Sequence, residues 1–205
     1  MKDFPRLTLF GDDKPKENLE EDIFYSADTG GLRNENLLPT ERKELVKQYA
    51  ISLGMREDGI FFSEDKLTGY GDLTDRLRIG TDVFPKDELD GTETANARMS
   101  YRCSIAHEII GHRLACGAKP SHALVTGEDY FAYQAGEMSK TEYEYKETLD
   151  EVQASIRACK FTTDLTDVER ADLFEDAMDR LKNKNIIFEK IKDLLYINER
   201  GKYYE

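Results

Sequence analysis

The chain has no tryptophan, only three cysteines, only three histidines and a shortage of positive charge. Cys103, Cys116 and Cys159 are odd in number and form no Cys-x-x-Cys pair, which excludes a disulfide framework and a thiolate zinc knot. They fall on apolar helix stripes and read as small core residues. Lysine and arginine total 29 against 42 aspartates and glutamates, a net charge of −13, and the bases gather into no run or face. That distribution argues against a phosphate backbone as partner, so no nucleic acid is expected. An acidic surface serves solubility first and favours basic substrates or partners second. Long apolar runs are absent too, which leaves nothing to span a membrane, and no membrane partner is expected. The first ten residues lack the sustained apolar stretch of a signal peptide. The expected location is cytoplasmic, or wherever a fused module or dedicated secretion system delivers the chain.

Scarce as histidine is, two of the three stand at positions 107 and 112, in Tyr101-Arg-Cys-Ser-Ile-Ala-His107-Glu108-Ile-Ile-Gly-His112-Arg-Leu-Ala115. Two imidazoles and an adjacent carboxylate on one apolar helix are the ingredients of a catalytic zinc site. The plainer reading is a pair of hydrogen-bonded core histidines, but it leaves Glu108 as a buried charge without purpose. The spacing is the difficulty. The common metalloprotease motif sets its histidines at i and i+4. Residues at i and i+5 lie roughly 140° apart on a regular α-helix. Either a π-bulge, of the kind that gathers at functional sites, brings them back to one face, or they do not share a metal. Gly111, a poor helix former, makes a local distortion cheap.

A catalytic zinc takes three protein ligands, so a third is required. Downstream, Tyr145, Leu149, Val152, Ile156 and Cys159 form an apolar helical stripe. Beside it run Thr148, Glu151, Ala154, Ser155 and Ala158, small side chains around one carboxylate. Such a strip admits a second helix closely and projects Glu151 into the contact. Taken alone, Asp150 and Glu151 read more simply as solvated charges in a chain that is 35% charged.

These segments resemble a known pattern. His107-Glu-Ile-Ile-Gly-His112 is similar to the His-Glu-Leu-Leu-Gly-His motif of the dipeptidyl peptidase III family of zinc peptidases. Asp150-Glu-Val-Gln-Ala-Ser155 is similar to that family's Glu-Glu-Cys-Arg-Ala-Glu. The match covers two short segments, the chain is far shorter than those enzymes, and Ser155 stands where the family has glutamate. From about Arg76 to Ile197 the chain also resembles the zincin-type C-terminal toxin domains of bacterial polymorphic (RHS-repeat type) toxins. Four segments carry that likeness in order: Arg76-Leu-Arg-Ile-Gly-Thr-Asp82-Val83, Ala106-His-Glu-Ile-Ile-Gly-His-Arg113, Asp150-Glu-Val-Gln-Ala-Ser-Ile-Arg-Ala158, and the stretch from Leu165 through Leu173.

The resemblance implies a zinc-dependent metallopeptidase-like hydrolase serving as a toxin or effector. Zn2+ would be held by His107, His112 and Glu151, with Glu108 as general base. Its partners would be a protein or peptide substrate and a cognate immunity or inhibitor protein. Asp150 is a candidate to fix the tautomer of a ligand histidine. His122 reads as an alternative ligand, an oxyanion donor or a plain surface histidine. Tyr130, Tyr133 and Tyr143 are further oxyanion candidates, and nothing in the sequence picks one. Arg113 and Arg157 read as structural or solvated before they read as binders of the site's carboxylates or the substrate. The alternative to a hydrolase is a catalytically inactive zincin-fold module that binds protein through its tyrosine-rich loop.

The expected fold is α+β and zincin-like, a small β-sheet packed on the active-site helix followed by a mainly helical C-terminal part. Residues 1–35 read as a charged arm or linker, in which Ile23, Phe24 and Tyr25 can dock, and residues 36–205 as the domain. Thr40 is the expected N-cap of a helix marked by Leu45, Val46, Tyr49, Ala50 and Leu53 and ended at Gly54. Residues 59–63 read as a strand, 69–72 as a loop, and 76–84 as a second strand, taken as a sheet edge open to substrate. The motif helix is expected over 96–116, and a loop-rich lid over 117–138. Thr166 and Glu169 form a capping box that opens a helix buried along Val168, Ala171, Phe174, Ala177, Met178 and Leu181. Residues 186–197 read as a strand and short helix, or one helix.

Overall fold

The computed structural model describes residues 24–25, 33–64, 67–118 and 121–202, and the rest of the expected arm, Ile23 included, lies outside them. The fold is α+β. A four-stranded sheet has the order β1-β3-β4-β2, with β1 at Phe24–Tyr25, β2 at Ile60–Phe62, β3 at Gly69–Gly71 and β4 at Arg76–Ile79. β3 pairs antiparallel with both β1 and β4, and β2 runs parallel to β4. Helix α1 (Thr40–Ser52) turns Val46, Tyr49 and Ala50 inward and leaves Leu45 47% exposed. With Leu77 and Ile79 of β4 these residues pack on Ile105, Ile109 and Ile110 of the motif helix. Each isoleucine buried there contributes about 1.5–3 kcal/mol. On its other side the motif helix meets α6 (Lys140–Phe161) and α7 (Asp167–Asn183). The motif helix is thus enclosed between sheet and helical half.

Several expectations are corrected. Residues 76–84 are not one edge strand. β4 stops at Ile79, a 3-10 turn follows at Thr81–Val83, and β3 and β2 occupy both flanks of β4. The expected loop at 69–72 is largely β3, whose Gly-Tyr-Gly sequence carries no apolar alternation to reveal it. The motif helix is interrupted. α2 spans Ala95–Arg98, and Ser100 then caps α3 (Tyr101–Ala106) by accepting from Cys103 N. Thr40 is the first residue of α1 and Pro39 its cap. The stretch 117–138 contains α5 (Gly127–Gln134), opened by a Thr126–Asp129 capping box. Residues 186–197 hold no strand, only α8 (Phe188–Ile191) and a 3-10 turn at Lys192–Leu194. The arm's boundary also shifts, because Arg33 and Asn34 are 3% and 4% exposed and belong to the domain. Among the described residues no helix is long and apolar enough to cross a membrane.

The motif helix and α6 touch backbone to backbone. A Cβ on Gly111 would stand 2.7 Å from both Ala154 Cβ and Ala154 O. Helix propensity alone would favour alanine at Gly111 by about 1 kcal/mol. The contact reverses the sign, since overpacking against a backbone oxygen costs about 1–3 kcal/mol or more. Gly111→Ala is therefore expected to lower the melting temperature by several degrees in a thermal denaturation scan. A variant as stable as the parent would refute the close approach.

Candidate metal centre

The i, i+5 spacing is resolved by the helix itself. Between α3 and α4 (Leu114–Cys116) the seven residues His107–Arg113 form a π segment. Its i→i+5 hydrogen bonds set residues five apart above one another. The two imidazoles meet at 73° with ring centroids 4.8 Å apart. Their Nε2 atoms are 3.0 Å apart. Such a segment loosens the carbonyl ladder, and Arg157 from α6 donates Nε to Gly111 O and Ile110 O, at 3.0 and 3.3 Å. The same guanidinium binds the carbonyls of Tyr196, Glu199 and Arg200, which ties the C-terminal segment to the motif helix. Arg157 is therefore structural. So is Arg113, which donates Nε to Asp75 Oδ1 at 2.6 Å.

The small-residue strip of α6 is buried against this segment, and Glu151 projects from it. Glu151 Oε2 lies 3.2 Å from His107 Nε2, and Oε1 lies 3.5 Å from His112 Nε2. Of the stripe beside it, Leu149, Val152 and Ile156 are buried, whereas Tyr145 is 42% exposed.

Hydrogen bonds behind the rings fix both tautomers. Ser155 Oγ donates to Asp176 Oδ2 at 2.7 Å and so accepts from His107 Nδ1 at 3.0 Å. Asp150 Oδ2 stands 3.0 Å from His112 Nδ1. In neutral rings, a proton on each Nδ1 leaves each Nε2 with a lone pair, and the two lone pairs then face one another. Facing lone pairs repel unless a cation or proton lies between them. Tetrahedral ligands about 2.0–2.1 Å from a zinc ion stand roughly 3.3 Å apart, close to the separations found here. Two imidazoles and a carboxylate match the donor set of a catalytic zinc. Among the described residues, His107, His112 and Glu151 are also the group whose ligand atoms converge within 4.8 Å.

The surrounding charges shift the titration of Glu151, His112 and Glu108. Burial pushes the Glu151 carboxyl up, but Arg180 and both histidines outweigh it and hold it well below the usual range. Arg180 Nη1 lies 3.1 Å from Glu151 Oε2, and its Nε donates to Asp176 Oδ2 at 2.9 Å. Burial pushes His112 down, but hydrogen bonds to Asp150 and Glu151 raise it well above its ordinary value. Glu108 differs. Its Oε2 is buried without a hydrogen-bond partner, and burial pushes its carboxyl up to about 7 against the pull of His112 and His107. Glu108 faces a cavity of about 50 Å3 that His107, Glu151, Arg33, Asp82 and Arg180 also line.

Arg33, Asp176 and Arg180 were not singled out from the sequence. Arg33 lay in the assigned arm. Asp176 and Arg180 lie on α7 outside the stripe assigned to apolar packing, although their i, i+4 spacing was a usable sign. Conversely, His122 and Tyr130 are not brought to the cavity. The His122 ring stacks on Tyr196 with centroids 3.8 Å apart, and Tyr130 packs edge-on against Tyr143 at 6.3 Å. Tyr133 stacks on Tyr143 at 4.8 Å in the same aromatic cluster. Cys103 is fully buried beside Met99 and Leu173, as a core residue. Cys116 and Cys159 are only partly buried.

Ser155→Ala and Asp150→Ala each remove one tautomer-fixing partner. If the group holds a metal ion, each is expected to weaken its binding about 10–100-fold in a chelator competition titration, with the circular dichroism spectrum unchanged. Unaltered affinity in both variants would mean that the rings are oriented by packing alone.

The chain matches no family model, no curated protein and no solved structure. Its chemistry is therefore written in its own residues: an α+β fold enclosing a buried His-His-Glu group with the unpartnered Oε2 of Glu108 beside it.

Proposed function

We propose that this chain is a zinc-dependent hydrolase of zincin-like architecture that cleaves peptide bonds. One observation carries the reading: the Nε2 atoms of His107 and His112 converge on the Glu151 carboxylate beside Glu108, whose Oε2 has no hydrogen-bond partner. Zinc in that position would polarise a carbonyl and lower the pKa of a water toward about 7. The chain's residues do the rest. Asp150 and Ser155 hold the imidazoles in register, and Arg180 holds Glu151 ionised. Glu108 Oε2 takes a proton from the attacking water as its oxygen bonds to the carbonyl carbon. It returns that proton to the amine as the C–N bond breaks. The toxin or effector role, with its immunity or inhibitor protein, rests on the four-segment resemblance alone.

A second reading has one observation in its favour. His107, Glu108, His112 and Glu151 are each between 5% and 7% exposed, and the cavity of about 50 Å3 admits water but no polypeptide in this conformation. A closed site suits a protein-binding module whose metal is structural.

Elemental mass spectrometry is expected to find about one zinc per chain, lost in His107→Ala and Glu151→Ala. Glu108→Gln should keep the zinc yet lose cleavage of fluorescein-labelled casein by about 100-fold or more. No zinc uptake by the parent chain would overturn the metal site. Zinc without any cleavage would leave the binding module as the better account.

A further inference from the structure

Two guanidinium groups reach the cavity beside Glu108, and they are committed differently. Arg33 donates to the carbonyls of Asp82, Asn96, Val83 and Met99 and to Ser104 Oγ. Arg180 uses Nε on Asp176 and Nη1 on Glu151, and its Nη2 has no partner among the described residues. The hydroxyls on the same wall are taken, Thr68 Oγ1 by Asp82 Oδ1 and Ser104 Oγ by Ser100 O. None of the oxyanion candidates read from the sequence lines this cavity. A guanidinium is planar and rigid, so two carboxylates gripping one part of it fix where the remaining donor stands. A fixed cationic donor in a water-poor site is what a developing negative charge requires.

We infer that Arg180 is the oxyanion-binding group of this site, its Nη2 hydrogen-bonding the scissile carbonyl oxygen as negative charge builds there. The inference rests on the hydrolase reading above. As water oxygen bonds to the carbonyl carbon, the C=O π pair moves to oxygen and is held by Arg180. When that pair returns, the C–N bond breaks and the amine leaves with the proton Glu108 took from water.

Inorganic phosphate is a tetrahedral oxyanion small enough for a cavity of about 50 Å3. It is titrated calorimetrically into the zinc-loaded full chain, Arg180→Gln, Arg180→Lys and Asn96→Ala, each first assayed for zinc. Asn96 is a neutral amide on the same wall. The parent is expected to bind phosphate, Arg180→Gln about tenfold or more weakly with its zinc retained, and Arg180→Lys in between. Phosphate affinity equal in parent and Arg180→Gln, or absent from the parent, overturns the inference, as does a loss confined to Asn96→Ala. Zinc lost from both Arg180 variants overturns it too, because Arg180 then only holds Glu151. A parent that takes up no zinc defeats the hydrolase reading by a separate measure. The titration is then run on the metal-free chain, where binding lost in Arg180→Gln still supports an oxyanion site and no binding removes it.

Discussion

The backbone contact between Gly111 and Ala154 is the constraint on which the site depends. A side chain on Gly111 would push the motif helix away from α6, because it meets the Cβ and the backbone oxygen of Ala154 at 2.7 Å. At that distance Glu151 reaches both imidazoles, and Arg157 reaches the carbonyls of Ile110 and Gly111. The π segment and the close approach therefore support each other. Widening the helix exposes carbonyls that need a donor, and the neighbouring helix is near enough to supply one. The widening also turns a spacing that would splay two histidines into one that makes them meet.

Around the pair, polar groups form a closed circuit. His107 binds Ser155, Ser155 binds Asp176, Asp176 binds Arg180, and Arg180 lies against Glu151, which returns to His107. Asp150 adds a third carboxylate behind His112. Three carboxylates and one guanidinium thus surround two imidazoles in a buried place, where isolated charges are costly. Against its burial, hydrogen bonds to Asp150 and Glu151 raise His112 well above its ordinary value, so a proton on that ring offsets part of the negative charge. A divalent cation between the two Nε2 atoms would offset more of it.

The sequence made the converging group of His107, His112 and Glu151 legible because its chemistry is rare in this chain. Few histidines and a small-residue strip with one carboxylate leave few ways to build a metal site. Angle alone narrowed the spacing to two outcomes, a widened helix or histidines that do not share a metal. The supporting residues were hidden for an equally physical reason. Apolar periodicity reports burial against apolar neighbours, so it turned α7 toward Val168 and Phe174, which are 71% and 48% exposed. The face that packs inward carries Asp172, Leu173, Asp176, Ala177 and Leu181. Two aspartates are buried there because other polar groups are buried opposite them, and no hydropathy pattern encodes that. Asp172 binds Arg98 Nε at 2.7 Å, and Asp176 binds Ser155 and Arg180. Arg33 escaped notice likewise, since a charged residue in a charged segment reads as solvated.

Arg33 shows what the buried site costs the rest of the chain. Its guanidinium has no carboxylate partner among the described ion pairs and is held by backbone carbonyls and Ser104. Burial pushes its pKa down to about 10, with Asp82 opposing. One side chain thereby fastens the segment before α1 to the 3-10 turn after β4, to α2, and to the start of α3. Those pieces make much of the cavity wall. Low dielectric strengthens every interaction of Glu108, Glu151 and Arg180, but it is obtained by keeping water and larger molecules out. Arg33 stands where these demands conflict. A cation caged by neutral dipoles closes the wall without adding a second ion pair to the circuit.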